Sequence, residues 1–407
     1  MRVNLNVLFV SEFIDNPMGG LGRYEQELVK ALPESGLDAL TVARLAPGLT
    51  TSTHPVWRGV STMVQAATGG RIRWRLTDLP DHLDVVHFSN QQMGGAISGF
   101  KTAQLMGLRP DAKVIVMIHD LYDDMAIRST SLADIAPHRS WRSGIGARLN
   151  RYGLRRADHF VVNSHATAKD VQTVLGVEQQ RITVAHLGVD HHMPRLDVRT
   201  NVAARTLISR RWDLDPNTDV ILYVGSLHPR KNVTVLLPAI AELRRRGVPA
   251  TLVIAGSTRS TNEPQALDEA VARGHVHLLG HVSDQELSDL YAGAQVFAFP
   301  SRFEGFGFPV LEAMGQRVPV VASNCPIMQE VIGDAGLLVA PLAPFAWADA
   351  LQRVLQEPDL RKRFVERGCK RFLAFTWRRT AENTLQAYAE AMRSGSRTTV
   401  AAVRGKS

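Results

Sequence analysis

The stretch "PSRFEGFGFPVLEA" sets Glu304 directly before Gly-Phe-Gly-Phe-Pro and places Glu312 eight residues after Glu304. A carboxylate accepts hydrogen bonds from two hydroxyls at once. Gly305 and Gly307 remove side chains, so that backbone N–H groups can approach a bound group, and the start of the helix that follows favours negative charge. The combination suits a phosphate or a sugar. "VFAFPS" reads as the strand ahead of it, "RFEGFGF" as the loop at that strand's carboxyl end, and Pro309 as a natural first residue of the helix "PVLEAMGQ". Glu304 then sits before the turn and Glu312 in the helix's first turn or so, at two levels of one wall, where they can serve different groups. A plainer reading stands against this, with Glu312 only complementing the helix dipole and Glu304 a loop carboxylate in solvent.

The elements that must position these residues are legible along the chain. Short runs rich in Val and Ile alternate with helical patterns: "VNLNVLFV", "DVVHFS", "KVIVMIH", "HFVVNS" and "RITVAHL", then "VILYVGS", "ATLVIAGS", "VHLLGHV", "VFAFPS", "PVVAS" and "GLLVAP". That is the beat of parallel sheets. Between the two series the apolar strands stop, through "GVDHHMPRLDVRTNVAARTLISRRWDLDPNTD". The chain of 407 residues also exceeds what one hydrophobic core usually organises. The pattern therefore predicts an α/β protein of two doubly wound domains, residues 1–195 and 218–375, with 196–217 as linker. In such sheets ligands bind past the carboxyl ends of the strands. Ser283 with Glu286 predicts a capping box ahead of "ELSDLYAGA", and "NVTVLLPAIAELRRRG" ends on basic residues and Gly247, as a helix C-terminus should.

With 45% hydrophobic and 21% charged residues the composition is that of a soluble globular protein, and no apolar run reaches the roughly 20 residues that span a bilayer. Two cysteines, Cys325 and Cys369, are too few for a stapled secreted scaffold, which predicts a cytoplasmic protein. A net charge of +8 attracts polyanions of any kind. The densest basic stretch, "HRSWRSGIGARLNRYGLRR", spaces Trp141, Ile145, Leu149 and Tyr152 at helical intervals among six arginines. It reads first as a helix that packs its apolar stripe on the core and solvates Arg142, Arg148 and Arg155, and second as a peripheral contact with anionic membrane, at the inner face. The segment "RIRWRL" at Arg71 adds basic charge to the same half. No nucleic-acid partner is expected.

Taken together, "NPMGGLGRYEQELVKAL", "VIVMIHD", "ADHFVVNSHATAKDV", "VAHLGVD", "YVGSLHPRKN", "LLGHVSDQELSDLYAGAQVFAFPS", the two spaced glutamates and "GDAGLLVAP" resemble the retaining glycosyltransferases of family 4 over nearly the whole chain. The resemblance implies the GT-B fold, two Rossmann-like domains facing across a cleft, with a C-terminal helix at about 376–394 packing back on the first. It implies a nucleotide-sugar donor, a GDP-sugar or a UDP-sugar, held mainly by the second domain, and a saccharide or lipid-linked acceptor held mainly by the first. "VGSLHPRKN" looks most like members that build bacterial surface polysaccharide, often mannosyltransferases.

Position by position, the resemblance assigns the donor sugar's hydroxyls to Glu304 and to the backbone of Gly305, Phe306, Gly307 and Phe308, and the ribose hydroxyls to Glu312. Lys231 would pair with the diphosphate. The family often has an arginine after the glycine of that strand end, where this chain has Ser226, and Arg230 is the substitute. Gly19 and Gly20 match the loop whose backbone approaches the diphosphate, although a tight turn opening a helix would use them too. Val282 matches a further donor-binding position, and His119, at a strand end where a lone histidine is more often structural, matches the family histidine near the sugar's anomeric region. Where the family commonly has Asn-Gly, this chain has Leu187-Gly188. The implied reaction moves a hexose to an acceptor hydroxyl with retention, and it needs neither cofactor nor metal; "DLD" at Asp213 lies in the linker, away from the motifs. Three alternatives remain: a GT-B isomerase, a phosphorylase, and a catalytically silent GT-B binding protein. A nicotinamide dehydrogenase is disfavoured, because "VSEFIDNPMGG" puts a long loop before the glycines.

Overall fold

The structure is a computed structural model, and it describes residues 3–15, 19–44, 82–105, 111–128, 132, 141–189, 201–257 and 265–401. The apolar runs form strands β1 (Val3–Ser11), β2 (Leu37–Arg44), β3 (Val85–Phe88), β4 (Lys113–Ile118), β5 (His159–Val162) and β6 (Ile182–Val184) in one unit. In the other they form β7 (Asp219–Val224), β8 (Ala250–Ala255), β9 (Val276–Gly280), β10 (Val296–Phe299), β11 (Val320–Ser323) and β12 (Gly336–Val339). All pairings among them are parallel. Helices cover both faces of such a sheet, so β3, β5, β8, β10 and β11 are buried at every residue and carry no polar alternation.

The chain divides into two compact units, Met1–Gly188 with Trp377–Ser407, and Val189–Thr376. In the first, the described strands run in the order β2-β1-β3-β4-β5-β6; in the second the order is β12-β11-β10-β7-β8-β9. Read from its other edge, the second is the 3-2-1-4-5-6 order of a doubly wound nucleotide-binding sheet. The order reverses between β1 and β3 in one unit and between β7 and β10 in the other. Ligands of such sheets bind past the strand ends at those points.

Two elements differ from the sequence reading. The stretch read as a linker contains a helix, Asn201–Trp212, whose Ile208 is fully buried and packs on Gly293 of the helix Asp284–Gly293. Its contact runs through one apolar residue and a facing glycine, so almost no hydrophobic period marks it. The basic helix, Trp141–Arg155, is turned the other way round from the first expectation. Ile145, Leu149 and Tyr152 face solvent, at 47%, 47% and 60% exposure. Its inward face is made by Asn150, Gly153 and Leu154 on the helix Gly94–Leu105, where a Cβ on Gly153 would sit 1.7 Å from the Gly94 carbonyl. The arginines are tethered instead: Arg151 to Asp124, Arg155 to the Leu175 carbonyl at 2.9 Å, and Arg156 to Ser98 and Thr102. Close packing through glycine leaves no apolar signature, so the visible stripe pointed away from the true contact. The side chains of Trp141 and Arg142, and the segment at Arg71, lie outside the described residues.

The last helix, Trp377–Ala401, belongs to the first unit. Tyr388 hydrogen-bonds His87 Nδ1 at 2.7 Å, Thr183 donates to Glu390 at 2.6 Å, and Thr380 donates to the His186 carbonyl at 2.7 Å.

Candidate active site

In the second unit, the loops after β7 and β10 meet at the switch point. After β7 the chain turns through Gly225, whose φ of 149° only glycine adopts readily and where a Cβ would lie 2.7 Å from the Tyr223 hydroxyl. It then enters a short 3-10 turn, Pro229–Lys231, closed by Asn232 in the left-handed region. Asn232 Nδ2 donates to the Pro300 carbonyl at 3.2 Å and to the Pro341 carbonyl at 2.7 Å, and Arg302 N donates to the Arg230 carbonyl at 2.9 Å. These bonds tie the two loops together. They bring Lys231 Nζ to 2.5 Å from Glu304 Oε1, and Arg230 Nη1 to 3.3 Å from Glu304 Oε2 and 3.1 Å from the Phe303 carbonyl.

Glu304 is not a solvated loop carboxylate: its side chain is 7% exposed, against 14% for Lys231 and 27% for Arg230. Burial alone would raise its pKa, but the Lys231 ammonium and the Arg230 guanidinium hold it below the ordinary carboxylate range. One buried anion thus sits beside two cations. Such a site can take a further anion.

Past Glu304 the loop continues through Gly305 and the buried Phe306 to Gly307, which has φ 98° and caps the helix Phe308–Gly315. A Cβ there would come 2.5 Å from Met328 Cε, the movable end of a flexible side chain, so it is the backbone conformation that requires glycine. Glu312 lies inside that helix and is 7% exposed; Tyr291, fully buried, donates to its Oε2 at 3.2 Å. Glu304 and Glu312 therefore have different partners, as their different levels along the chain suggest. Val282 is half-buried, immediately ahead of the helix Asp284–Gly293, whose capping box between Ser283 and Glu286 is present as the sequence predicts. Ser226 holds the place after Gly225 and accepts, through its carbonyl, from the Tyr223 hydroxyl at 2.8 Å.

The remaining predicted residues are in the first unit. Gly19, with φ 103°, caps the helix Gly20–Glu34, so the double glycine does open a helix. His119 follows β4 and is 6% exposed; its Nε2 faces the Ser89 carbonyl at 3.1 Å and its ring meets Tyr24 edge-on at 4.7 Å. Burial pushes its pKa down to about 4, so the imidazole is neutral. Behind it, His87 lies between the hydroxyls of Tyr24 and Tyr388, and burial pushes it down to about 3. Leu187 is buried where an asparagine was the family expectation.

Sequence reasoning missed Asn232, Tyr291 and Glu25, whose contacts are all long-range. Only the positive φ of Asn232 had a local trace, an asparagine straight after a basic pair.

Comparison with known proteins adds to this geometry. The model of the family described as "Glycosyltransferase Family 4" matches residues 18–192, and that described as "Glycosyl transferases group 1" matches residues 204–371. An O-antigen chain mannosyltransferase B of Escherichia coli is 36% identical over 173 residues, covering 41% of this chain and 45% of its own. A D-inositol 3-phosphate glycosyltransferase of Kineococcus radiotolerans is 28% identical over 348 residues, covering 80% of this chain and 76% of its own. Among solved structures, a sucrose-phosphate synthase of Thermosynechococcus elongatus superposes with a TM-score of 0.68 at 19% identity, covering 96% of this chain and 100% of its own. An Anabaena protein in complex with UDP and glucose gives 0.66 at 16% identity, covering 94% and 100%.

Proposed function

Because the chain belongs to the glycosyltransferases of group 1 and family 4, with the GT-B fold, we propose that it transfers a hexose, with mannose favoured, from a nucleoside-diphosphate sugar to a hydroxyl of a saccharide or lipid-linked acceptor, with retention at the anomeric carbon. The observation that carries this is the buried Lys231–Glu304–Arg230 cluster at the switch point of the second sheet. The Lys231 and Arg230 cations suit the diphosphate, and the Glu304 carboxylate and the Gly305–Phe308 backbone suit sugar hydroxyls. Glu312, already a hydrogen-bond acceptor from Tyr291, suits the ribose. The mannose preference draws on the resemblance of "VGSLHPRKN" to mannosyltransferases and on the similarity to the O-antigen mannosyltransferase.

In the proposed step the acceptor oxygen bonds to the anomeric carbon while that carbon's bond to the donor phosphate breaks. The acceptor's proton passes to the departing phosphate. No enzyme carboxylate is used as nucleophile, and the protein contributes positioning and cationic stabilisation of the leaving group. In this reading Lys231 and Arg230 supply the positive charge that the leaving diphosphate needs, so excess chelator is expected to leave transfer intact. Incubation with GDP-mannose and UDP-glucose, followed by NMR of the product's anomeric proton, tests the reading. Retained configuration supports it; inverted configuration, or no transfer from any nucleoside-diphosphate sugar, overturns it.

The outward face of the helix Trp141–Arg155 supports a second part of the reading, contact with an anionic membrane surface. Ile145, Leu149 and Tyr152 form an exposed apolar row beside the exposed Arg148. No helix of the described residues is long and apolar enough to cross a membrane. Changing the three apolar residues to Ser should abolish flotation with phosphatidylglycerol vesicles, and unchanged flotation would remove this part.

A further inference from the structure

We infer that Glu25 is a positioning residue for the proposed transfer, fixing the ends of β1 and β3 and, through Ser89, the tautomer of His119; this rests on the functional reading above. Glu25 lies in the helix Gly20–Glu34 and is 1% exposed. Oε2 accepts from Ser11 Oγ at 2.7 Å and from Phe13 N at 2.6 Å; Oε1 accepts from Glu12 N at 3.3 Å and from Ser89 Oγ. Two of these partners are backbone amides, which only donate. Both oxygens are thus fully used, and the arrangement fits the ionised form. Burial raises its pKa, and the donors from Ser89, Ser11, Phe13 and Glu12 oppose the rise.

A buried carboxylate is costly unless every lone pair is satisfied. Here the satisfied carboxylate ties two separate pieces of chain, residues 11–13 and Ser89, to its own helix. Ser11 ends β1, Glu12 and Phe13 begin the loop toward Gly19, and Ser89 follows β3, the neighbouring strand across the switch point. The adjacent Gln26 adds to the same loop, donating to the Ile14 carbonyl at 2.7 Å.

Ser89 then connects Glu25 to His119. Its side chain is held by Glu25 and its carbonyl faces His119 Nε2. A carbonyl only accepts, so Nε2 carries the proton and Nδ1 presents its lone pair. A sugar hydroxyl could donate to Nδ1 in this state and not in the other tautomer. Ser89 N also donates to the Val10 carbonyl at 3.1 Å, so losing the side-chain bond removes one of the two tethers on this residue and loosens the constraint on its carbonyl.

The test is Glu25→Gln, which keeps the shape but points an amide donor at a set of donors. Three quantities are read on the purified full chain: transfer rate, affinity for GDP and UDP, and the 15N-histidine spectrum of His119. The inference expects kcat to fall about tenfold or more, nucleoside-diphosphate affinity to stay within about twofold, and the Nε2–H signature of His119 to be lost. A transfer rate within about twofold of wild type overturns it. So does a slowed variant whose His119 spectrum is unchanged, since Glu25 would then act only through general stability. If Glu25→Gln does not fold, Ser89→Ala, which removes one donor, is read by the same criteria. Wild-type protein that transfers from no nucleotide sugar would instead sink the functional reading, before any variant is made.

Discussion

Lys231 and Glu304, 73 residues apart in the chain, form an ion pair of 2.5 Å in which the carboxylate is buried and the ammonium nearly so. The two residues assigned to opposite ends of one donor therefore hold each other. Breaking a buried pair leaves an uncompensated charge, which costs about 3–5 kcal/mol. Arg230, still 3.3 Å from Glu304, should keep Lys231→Ala near the low end, about 3 kcal/mol. A denaturation curve for Lys231→Ala checks this, and wild-type stability would show the pair to be energetically idle.

Tyr291 donates to Glu312 from a fully buried position. Tyr291→Phe removes one hydrogen bond without changing shape, a loss of about 1 kcal/mol. If Glu312 holds ribose, the variant should bind nucleoside diphosphates about fivefold more weakly while binding of inorganic pyrophosphate is unchanged. Equal weakening of both would place Glu312 elsewhere in the recognition.

His87 and His119 are pushed down by burial to about 3 and about 4. In the unfolded chain each binds a proton near its ordinary value, so between about pH 6.5 and 4 the unfolded state holds more protons and stability rises with pH. The stabilisation is complete above that window and is lost as pH falls through it, by up to about 1.4 kcal/mol per pH unit for each histidine. Comparing stability at pH 7 and pH 5 for wild type and His119→Gln checks the sign: the variant should lose less. Neutral His119 should also give no inflection in transfer rate near pH 6.5.

The sheets were legible because strands buried on both faces are written as uninterrupted apolar runs. The spacing of Glu304 and Glu312 was legible because glycines and a proline mark the turn between them locally. What joins Lys231 to Glu304 was not, since the contact is made by Asn232 reaching two carbonyls on distant loops. Glu25 reads as one more charged residue of an amphipathic helix; only the folded strand ends make it a hub. The helix Trp141–Arg155 misled for the opposite reason. Its packing face has Leu154 as its buried apolar residue beside Gly153 and Asn150, and its apolar row is on the surface.

If Lys231 serves the diphosphate and Glu304 the sugar, calorimetric titration of wild type, Lys231→Ala and Glu304→Gln with GDP and UDP separates the two roles. Lys231→Ala should lose about 1.5–3 kcal/mol of affinity for whichever nucleotide binds. Glu304→Gln should keep that affinity within about twofold or tighten it, because Glu304 partly neutralises the cation the diphosphate needs. Its sugar transfer should nevertheless fall. Equal loss of nucleotide affinity in both variants would contradict the account and move Glu304 from the sugar to the nucleotide end or to the support of the loop itself.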